Sequence, residues 1–169
     1  MKIIEALKQT KDLQRKADDL KALVKDHCAI TIFESQKYPN QTKQVAEWIQ
    51  AHSDILKEIL RLRLAIQKTN LAINVTIELN GKQVIKSIAG WIHRRRDLAA
   101  AELSMWSALT DRNIQEGIVK SPSGDPVEMK INRFYDSAER DKKRELYSSE
   151  PSIIDGKLEI VNATTDLIE

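Results

Sequence analysis

Two long helical patterns joined by a short β-hairpin constrain the fold of this chain more than any other feature. Apolar residues recur at three- and four-residue steps over 42–70, and the period changes to two over 74–86. Asn80-Gly81 lies at the centre of the second stretch and is typical of a type I′ turn. Because a two-stranded ribbon is marginal in water, we expect the hairpin to pack on a helix or on another strand.

The remaining patterns predict a mainly α protein. We expect helices over about 2–31, 42–70, 88–115, 137–148 and 151–163, a β-hairpin over about 74–86, and further strands over about 117–121 and 126–134. Pro151 is placed in the first turn of the last helix, where proline is tolerated. The sequence therefore predicts an antiparallel long-helix bundle with a small β-hairpin element, forming a single helical domain over 1–169.

The helix over 42–70 has an unusually wide apolar surface. Its main stripe consists of Val45, Trp48, His52, Ile55, Ile59, Leu62 and Ile66, with Ile49, Leu56, Leu60 and Leu64 beside it. One antiparallel partner helix would not cover so many apolar positions. The pattern indicates either a bundle interior or burial against another subunit, and we expect a homo-oligomer with coiled-coil-like packing.

The charge balance limits the partners of the chain. There are 27 Lys and Arg against 25 Asp and Glu, which gives a formal net charge of +2. This excludes a global positive field for wrapping extended nucleic acid, so an anion site must come from local clustering. No apolar run reaches the ~18 residues of a membrane span, and the N-terminus has no signal-peptide pattern. We therefore expect no membrane partner. The single cysteine, Cys28, fits a reducing compartment, so we expect a cytoplasmic location (the host cytoplasm if the chain is phage-encoded).

Polar and cationic residues gather where the helices meet the hairpin. On a helical wheel Arg95 and Glu102 fall within one apolar arc, where a charge needs a partner. Arg95 either forms an ion pair with Glu102 or pairs with the phosphate or carboxylate of a ligand, with Lys68 and Asn70 facing it across the hairpin base. The candidate ligand-binding residues are Arg95, Arg96, Lys68, Asn70, Asn74, Trp91, Asn162 and Thr165.

Several of these residues also have a plain structural interpretation. Asn and Thr near a helix end commonly act as caps or local turn formers, which applies to Asn70 and Asn74. A polar C-terminal segment such as 162–166 is normally frayed, but the apolar Leu167 and Ile168 that follow it indicate docking.

The sequence offers little for catalysis. The histidines are far apart and show no metal-ligand spacing, and neither a Gly-rich phosphate loop nor a nucleophile elbow is present. We therefore expect a protein that is not an enzyme and that has no metal or other cofactor.

Seven short fragments spread over nearly the whole chain keep the order of a known set of motifs: 1–7, 12–14, 66–70, 95–97, 128–130, 155–158 and 162–167. Together these fragments resemble the septicolysin-like family of helical proteins from bacteria and phages. The family pattern has Arg where this chain has Lys68 and Trp where it has Ala163, so a pocket shaped by these residues would differ in selectivity. The resemblance implies a helical fold with a small β element and self-assembly.

Two functions fit these observations. The first is a non-enzymatic oligomer that binds a small anionic, nucleotide-like ligand; if phage-encoded, it would act in anti-defence by sequestering an immune signal of the host. The second is a structural or adaptor component of a virion or other assembly. A hydrolase using Glu102 or Glu128 ranks last, because no nucleophile or metal site accompanies these carboxylates.

Overall fold

The computed structural model describes residues 1–168, and 62% of the chain is helical. There are five α-helices among these residues: α1 (Ile3–His27), α2 (Gln41–Ala72), α3 (Ile88–His93), α4 (Ala99–Ser107) and α5 (Ser137–Thr164). Strands β1 (Asn74–Leu79) and β2 (Lys82–Ser87) lie between α2 and α3, and strands β3 (Gly117–Lys120) and β4 (Pro126–Met129) lie between α4 and α5. The strands form two separate two-stranded sheets, β1 with β2 and β3 with β4. The prediction of a mainly α fold with a small β element is confirmed at this level.

The described residues divide into two compact units. The first unit contains 1–75, 87–89 and the residues from 158 onward, and the second contains 76–86 and 90–157. Several elements begin in one unit and end in the other, so each unit is described by itself. Within residues 1–168 we find no helix long and apolar enough to cross a membrane.

Helices α1 and α2 form the body of the first unit. Asn40 caps α2, since its side-chain oxygen accepts a hydrogen bond from the Lys43 amide at 3.0 Å. The side-chain amide of Gln41 donates through Nε2 to the backbone carbonyl of His27 at 2.8 Å, which ties the start of α2 to the end of α1. Because the two helices also pack along their length, they run antiparallel, and α2 covers 41–72 against the predicted 42–70.

The C-terminal segment of the first unit is docked rather than frayed. The amide of Ile3 donates to the carbonyl of Thr165 at 3.0 Å, and the amide of Leu167 donates to the carbonyl of Met1 at 2.9 Å. The fully buried Thr69 hydroxyl accepts a hydrogen bond from the Ile168 amide at 2.9 Å. The segment thus joins the start of α1 to the end of α2, as the apolar Leu167 and Ile168 led us to expect.

The predicted hairpin over 74–86 is present, and the two further predicted strands pair with each other. Asn80 and Gly81 have φ values of 51° and 72°, the pair of positive angles that a type I′ turn requires. Strands β3 and β4 pair antiparallel, with Gly117 opposite Met129 and Lys120 opposite Pro126. Strand β4 is shorter than the predicted 126–134 and ends at Met129, after which the chain continues without strand pairing.

The helix predicted over 88–115 is shorter than expected and contains an irregular turn. It consists of α3, a π-helical turn over Arg94–Leu98, and α4, which ends at Ser107. A π turn holds one residue more than an α turn. Trp91 and Ala99 are eight residues apart, about two α turns plus one residue, yet both are fully buried. The extra residue in the turn keeps these two side chains on one face.

The prediction of two helices meeting at Pro151 was wrong. Helix α5 runs without a break from Ser137 to Thr164, with Pro151 in its interior. The hydroxyls of Ser148 and Ser149 donate to the carbonyls of Glu145 and Leu146 at 2.9 and 3.0 Å in the preceding turn. Glu150, beside the proline, is 3% exposed and paired. Glu150 thus makes a tertiary contact beside Pro151, at a place where a proline costs a helix ~3 kcal/mol.

Candidate anion-binding cleft

Lysines on one face of strand β2 form one wall of a cleft in the second unit. Lys82, Val84 and Lys86 are two residues apart, so their side chains leave the strand on the same side. All three line the cleft, together with Leu79 and Asn80 at the hairpin turn. The alternation that defines the strand therefore also places two ammonium groups on one surface.

Helix α5 provides the opposite wall. Its lining residues are Lys143, Leu146, Tyr147 and Glu150, which follow the i, i+3, i+4, i+7 spacing of one helical face. Tyr147 is half-buried, whereas Glu150 is buried. One stripe of α5 thus contributes a cation, an aromatic ring and a carboxylate to the same cleft.

A paired arginine and glutamate lie at the base of the cleft. The Arg94 guanidinium donates from Nε and Nη2 to the two carboxylate oxygens of Glu150, the second bond being 2.9 Å long. The guanidinium carbon Cζ of Arg94 also lies 5.4 Å from the centre of the Tyr147 ring. These hydrogen bonds with Glu150 raise the pKa of Arg94 although partial burial opposes the charge. In this pair the positive charge of Arg94 neutralises the negative charge of Glu150.

The lysine ammonium groups lie near aromatic rings. Lys86 Nζ is 5.9 Å from the centre of the Trp91 ring, and Lys143 Nζ is 5.9 Å from the centre of the Trp106 ring. Both distances lie within the range of cation–π attraction. With Arg94 and Glu150 cancelling each other, the net charge of the lining comes from Lys82, Lys86 and Lys143.

The size and lining of the cleft suit a small ligand. Its volume is about 280 Å³, just below the ~300–1,000 Å³ of most small-molecule sites. Apolar side chains of Leu79, Val84 and Leu146 alternate with the cationic groups. Such a surface can pair with an anion and at the same time pack against a planar or apolar group.

Three predicted site residues belong to the second unit, and one of them lines the cleft. Trp91 does so but is 0% exposed, so it supports the cleft from beneath and offers no open stacking face. Arg95 is 39% exposed and pairs with Asp155 on α5. Arg96 is exposed, pairs with the adjacent Asp97 at 3.3 Å and contacts His93.

The ion pair expected between Arg95 and Glu102 is not formed. Asp155 is the carboxylate partner of Arg95, and the Arg94 guanidinium lies 3.8 Å from Glu102. The helical wheel assumed 100° per residue, but the π turn over 94–98 shifts the faces by one residue. For this reason Arg94, with 19% of its side chain exposed, takes the buried place assigned to Arg95.

The other predicted residues lie in the first unit. Lys68 is exposed near the end of α2, Asn74 is exposed at the start of β1, and Asn162 is half-buried on α5. Thr165 takes part through its backbone, whose carbonyl accepts the Ile3 amide. The side-chain oxygen of Asn70 is buried and has no hydrogen-bond partner among the described residues. The predicted approach of Lys68 and Asn70 to Arg95 concerns different units and stays a prediction.

Most of the cleft was not predicted from the sequence. The charged and aromatic lining residues that were not among the candidates are Lys82, Lys86, Lys143, Tyr147 and Glu150. The alternation of Lys82, Val84 and Lys86 was a usable signal, since it places both lysines on one strand face. The residues on α5 gave none, because they are more than fifty positions away in a stretch that resembles a solvated charged helix.

Comparison of the chain with family models, curated proteins and solved structures finds no significant match. The resemblance to the septicolysin-like family therefore stays a prediction. Within residues 1–168 no group of three or more His, Cys, Asp or Glu side chains is placed to hold a metal ion. The cleft presents cationic, aromatic and apolar side chains to its interior.

Proposed function

We propose that this chain is a non-enzymatic protein that binds a small anionic, nucleotide-like ligand in the cleft between β2 and α5. The observation that carries the proposal is the convergence of Lys82, Lys86 and Lys143 on a cleft whose buried glutamate is already neutralised by Arg94. The lysines would pair with phosphate oxygens, and Tyr147 with its apolar neighbours would pack against a base or sugar.

A protein that binds the ligand without converting it would sequester the ligand from other proteins. If the chain is phage-encoded, the ligand would be a nucleotide-derived immune signal in the host cytoplasm. The proposal also includes self-association of the chain, because large apolar side chains on α2 are exposed in the single protomer. The same residues favour a structural or adaptor role as the second candidate function.

Titration calorimetry with adenosine diphosphate as the probe tests the proposal. We expect the wild-type protein to bind adenosine diphosphate more tightly than adenosine, because adenosine lacks the phosphates that the lysines would pair with. The Lys82→Gln/Lys86→Gln/Lys143→Gln variant should lose at least about tenfold in affinity, which corresponds to ~1.4 kcal/mol. The probe should be recovered unchanged after incubation.

Lys142→Gln is the matched control. Lys142 precedes Lys143 on α5 and is exposed, but it does not line the cleft. Its substitution removes the same charge and should leave the affinity unchanged. Equal affinity of the triple variant and the wild type for adenosine diphosphate would rule out the cleft as the site.

A further inference from the structure

Helix α2 is apolar on two opposite faces. One face is buried in the first unit and includes Ile59 and Leu62, which are 4% and 1% exposed. The other face carries a row that we call the α2 stripe: Ile49, Leu56, Leu60, Leu64 and Leu71, which are 56%, 45%, 58%, 55% and 70% exposed. At 1.5 Å per residue this row is about 33 Å long. A row of exposed large apolar side chains along one helix face is typical of an interaction surface.

The α2 stripe is symmetric about Leu60. Leu56 and Leu64 are each four residues from Leu60, and Ile49 and Leu71 are each eleven residues from it. At 100° per residue all of them fall within about 40° of Leu60 around the helix axis. Read in either direction from Leu60, the stripe presents apolar side chains at the same spacing.

The polar positions within the stripe follow the same symmetry. Ser53 and Gln67 are each seven residues from Leu60, and both are exposed. Two antiparallel copies of α2 that meet at Leu60 would place Ser53 of each copy opposite Gln67 of the other. A hydroxyl and an amide can hydrogen-bond, so this polar pair would favour one register.

Symmetry of this kind matches the requirement of a two-fold interface between two copies of the chain. In a two-fold interface the same patch serves both subunits, so residue i contacts residue j and j contacts i. We propose that the α2 stripe is a self-association surface on which a second copy of the chain packs antiparallel, with the two-fold axis at Leu60. Leu60 then meets its own counterpart, and Leu56 meets Leu64 of the second copy.

The ends of the stripe also fit each other. A groove of about 300 Å³ beside Ile49 is lined by Leu20, Val24 and His52. In the antiparallel register, Leu71 of the second copy lies opposite Ile49 and can fill this groove. Leu71 is the most exposed member of the stripe, so both ends of the interface would gain a buried leucine.

Two of the cations near the stripe are paired within their own helix. Lys57 pairs with Asp54 at 2.8 Å, and Arg61 pairs with Glu58 through two hydrogen bonds of 2.9 and 2.8 Å. These cations are neutralised within their own helix, which reduces repulsion between the helices of two copies.

The inference deepens the self-association proposed above, and light scattering on the purified full chain tests both. We expect the wild type to be a dimer or a multiple of one, and Leu60→Asp to lower the mass of the particle about twofold or more, because two like charges would meet on the axis. Leu60 is 58% exposed, so the variant should keep its helical circular dichroism. Met105→Asp, at a 70% exposed apolar residue outside α2, is the matched control and should keep the wild-type mass.

Cysteine cross-linking tests the antiparallel register. With Cys28 replaced by serine, a mixture of Leu56→Cys and Leu64→Cys chains should form mixed disulfides in preference to either homodimer. A monomeric wild type would overturn the self-association proposal as a whole. An oligomer that survives Leu60→Asp, or that cross-links best through Leu56 with Leu56, would overturn this surface alone.

Discussion

Arg94 and Arg95 are neighbours in the chain, but their ion pairs lie in different surroundings. Arg94 is 19% exposed and its partner Glu150 is 3% exposed, whereas Arg95 and Asp155 are 39% and 58% exposed. Exposed pairs contribute about 0–1 kcal/mol to stability because water screens them. Removing one partner of a buried pair costs more, since the remaining charge is left without compensation.

Glu150→Gln should therefore destabilise the protein by about 3 kcal/mol, near the lower end for buried pairs because Arg94 keeps some contact with water. The glutamine has nearly the same shape, so the loss reports the charge. Urea unfolding followed by circular dichroism measures it.

Arg95→Ala is the comparison for this prediction. This substitution removes an exposed ion pair and should lower the free energy of unfolding by less than about 1 kcal/mol. If Arg95→Ala destabilised the protein as much as Glu150→Gln, the assignment of Arg94 as the structural arginine would be wrong.

Regular helices and turns were predictable from the sequence, but departures from regular helical geometry were not. The change from a 3.6-residue to a two-residue period located α2 and the first hairpin, and Asn80-Gly81 fixed the turn. The π turn over 94–98 has no comparable sequence signal, and it moved the buried arginine by one position. The rule that proline is placed in the first turn of a helix led to the wrong prediction of two helices meeting at Pro151. The pairing of Glu150 beside this proline is a tertiary contact, which local sequence does not show.

Pro151→Ala should stabilise the protein. In a continuous α5 the alanine restores the amide that bonds the carbonyl of residue 147 and removes the ring clash, a gain of about 1–3 kcal/mol after the greater chain entropy of the unfolded state is subtracted. Thermal unfolding measures the effect. A loss of stability would indicate that Pro151 instead occupies the first turn of a separate helix, where its fixed φ is favourable.

At the scale of the whole molecule, the sequence located candidate cations but did not identify which of them converge. The formal net charge of +2 excludes a global positive field, so an anion site in this chain requires a local cluster of cations. The cluster in the second unit combines a strand face with a helix face more than fifty residues away. This convergence depends on how β2 and α5 pack against each other. Helix and strand propensities and the period of the apolar residues do not reveal such tertiary packing.

Native mass spectrometry shows whether the lysine-lined cleft holds an anionic ligand. Wild-type protein and the Lys82→Gln/Lys86→Gln/Lys143→Gln variant are each incubated with a cell metabolite extract, desalted and weighed intact, and the bound species is released and identified. We predict that the wild type retains a phosphate-bearing small molecule that the variant loses. Retention of the same species by both proteins, or of no species by either, would contradict the account.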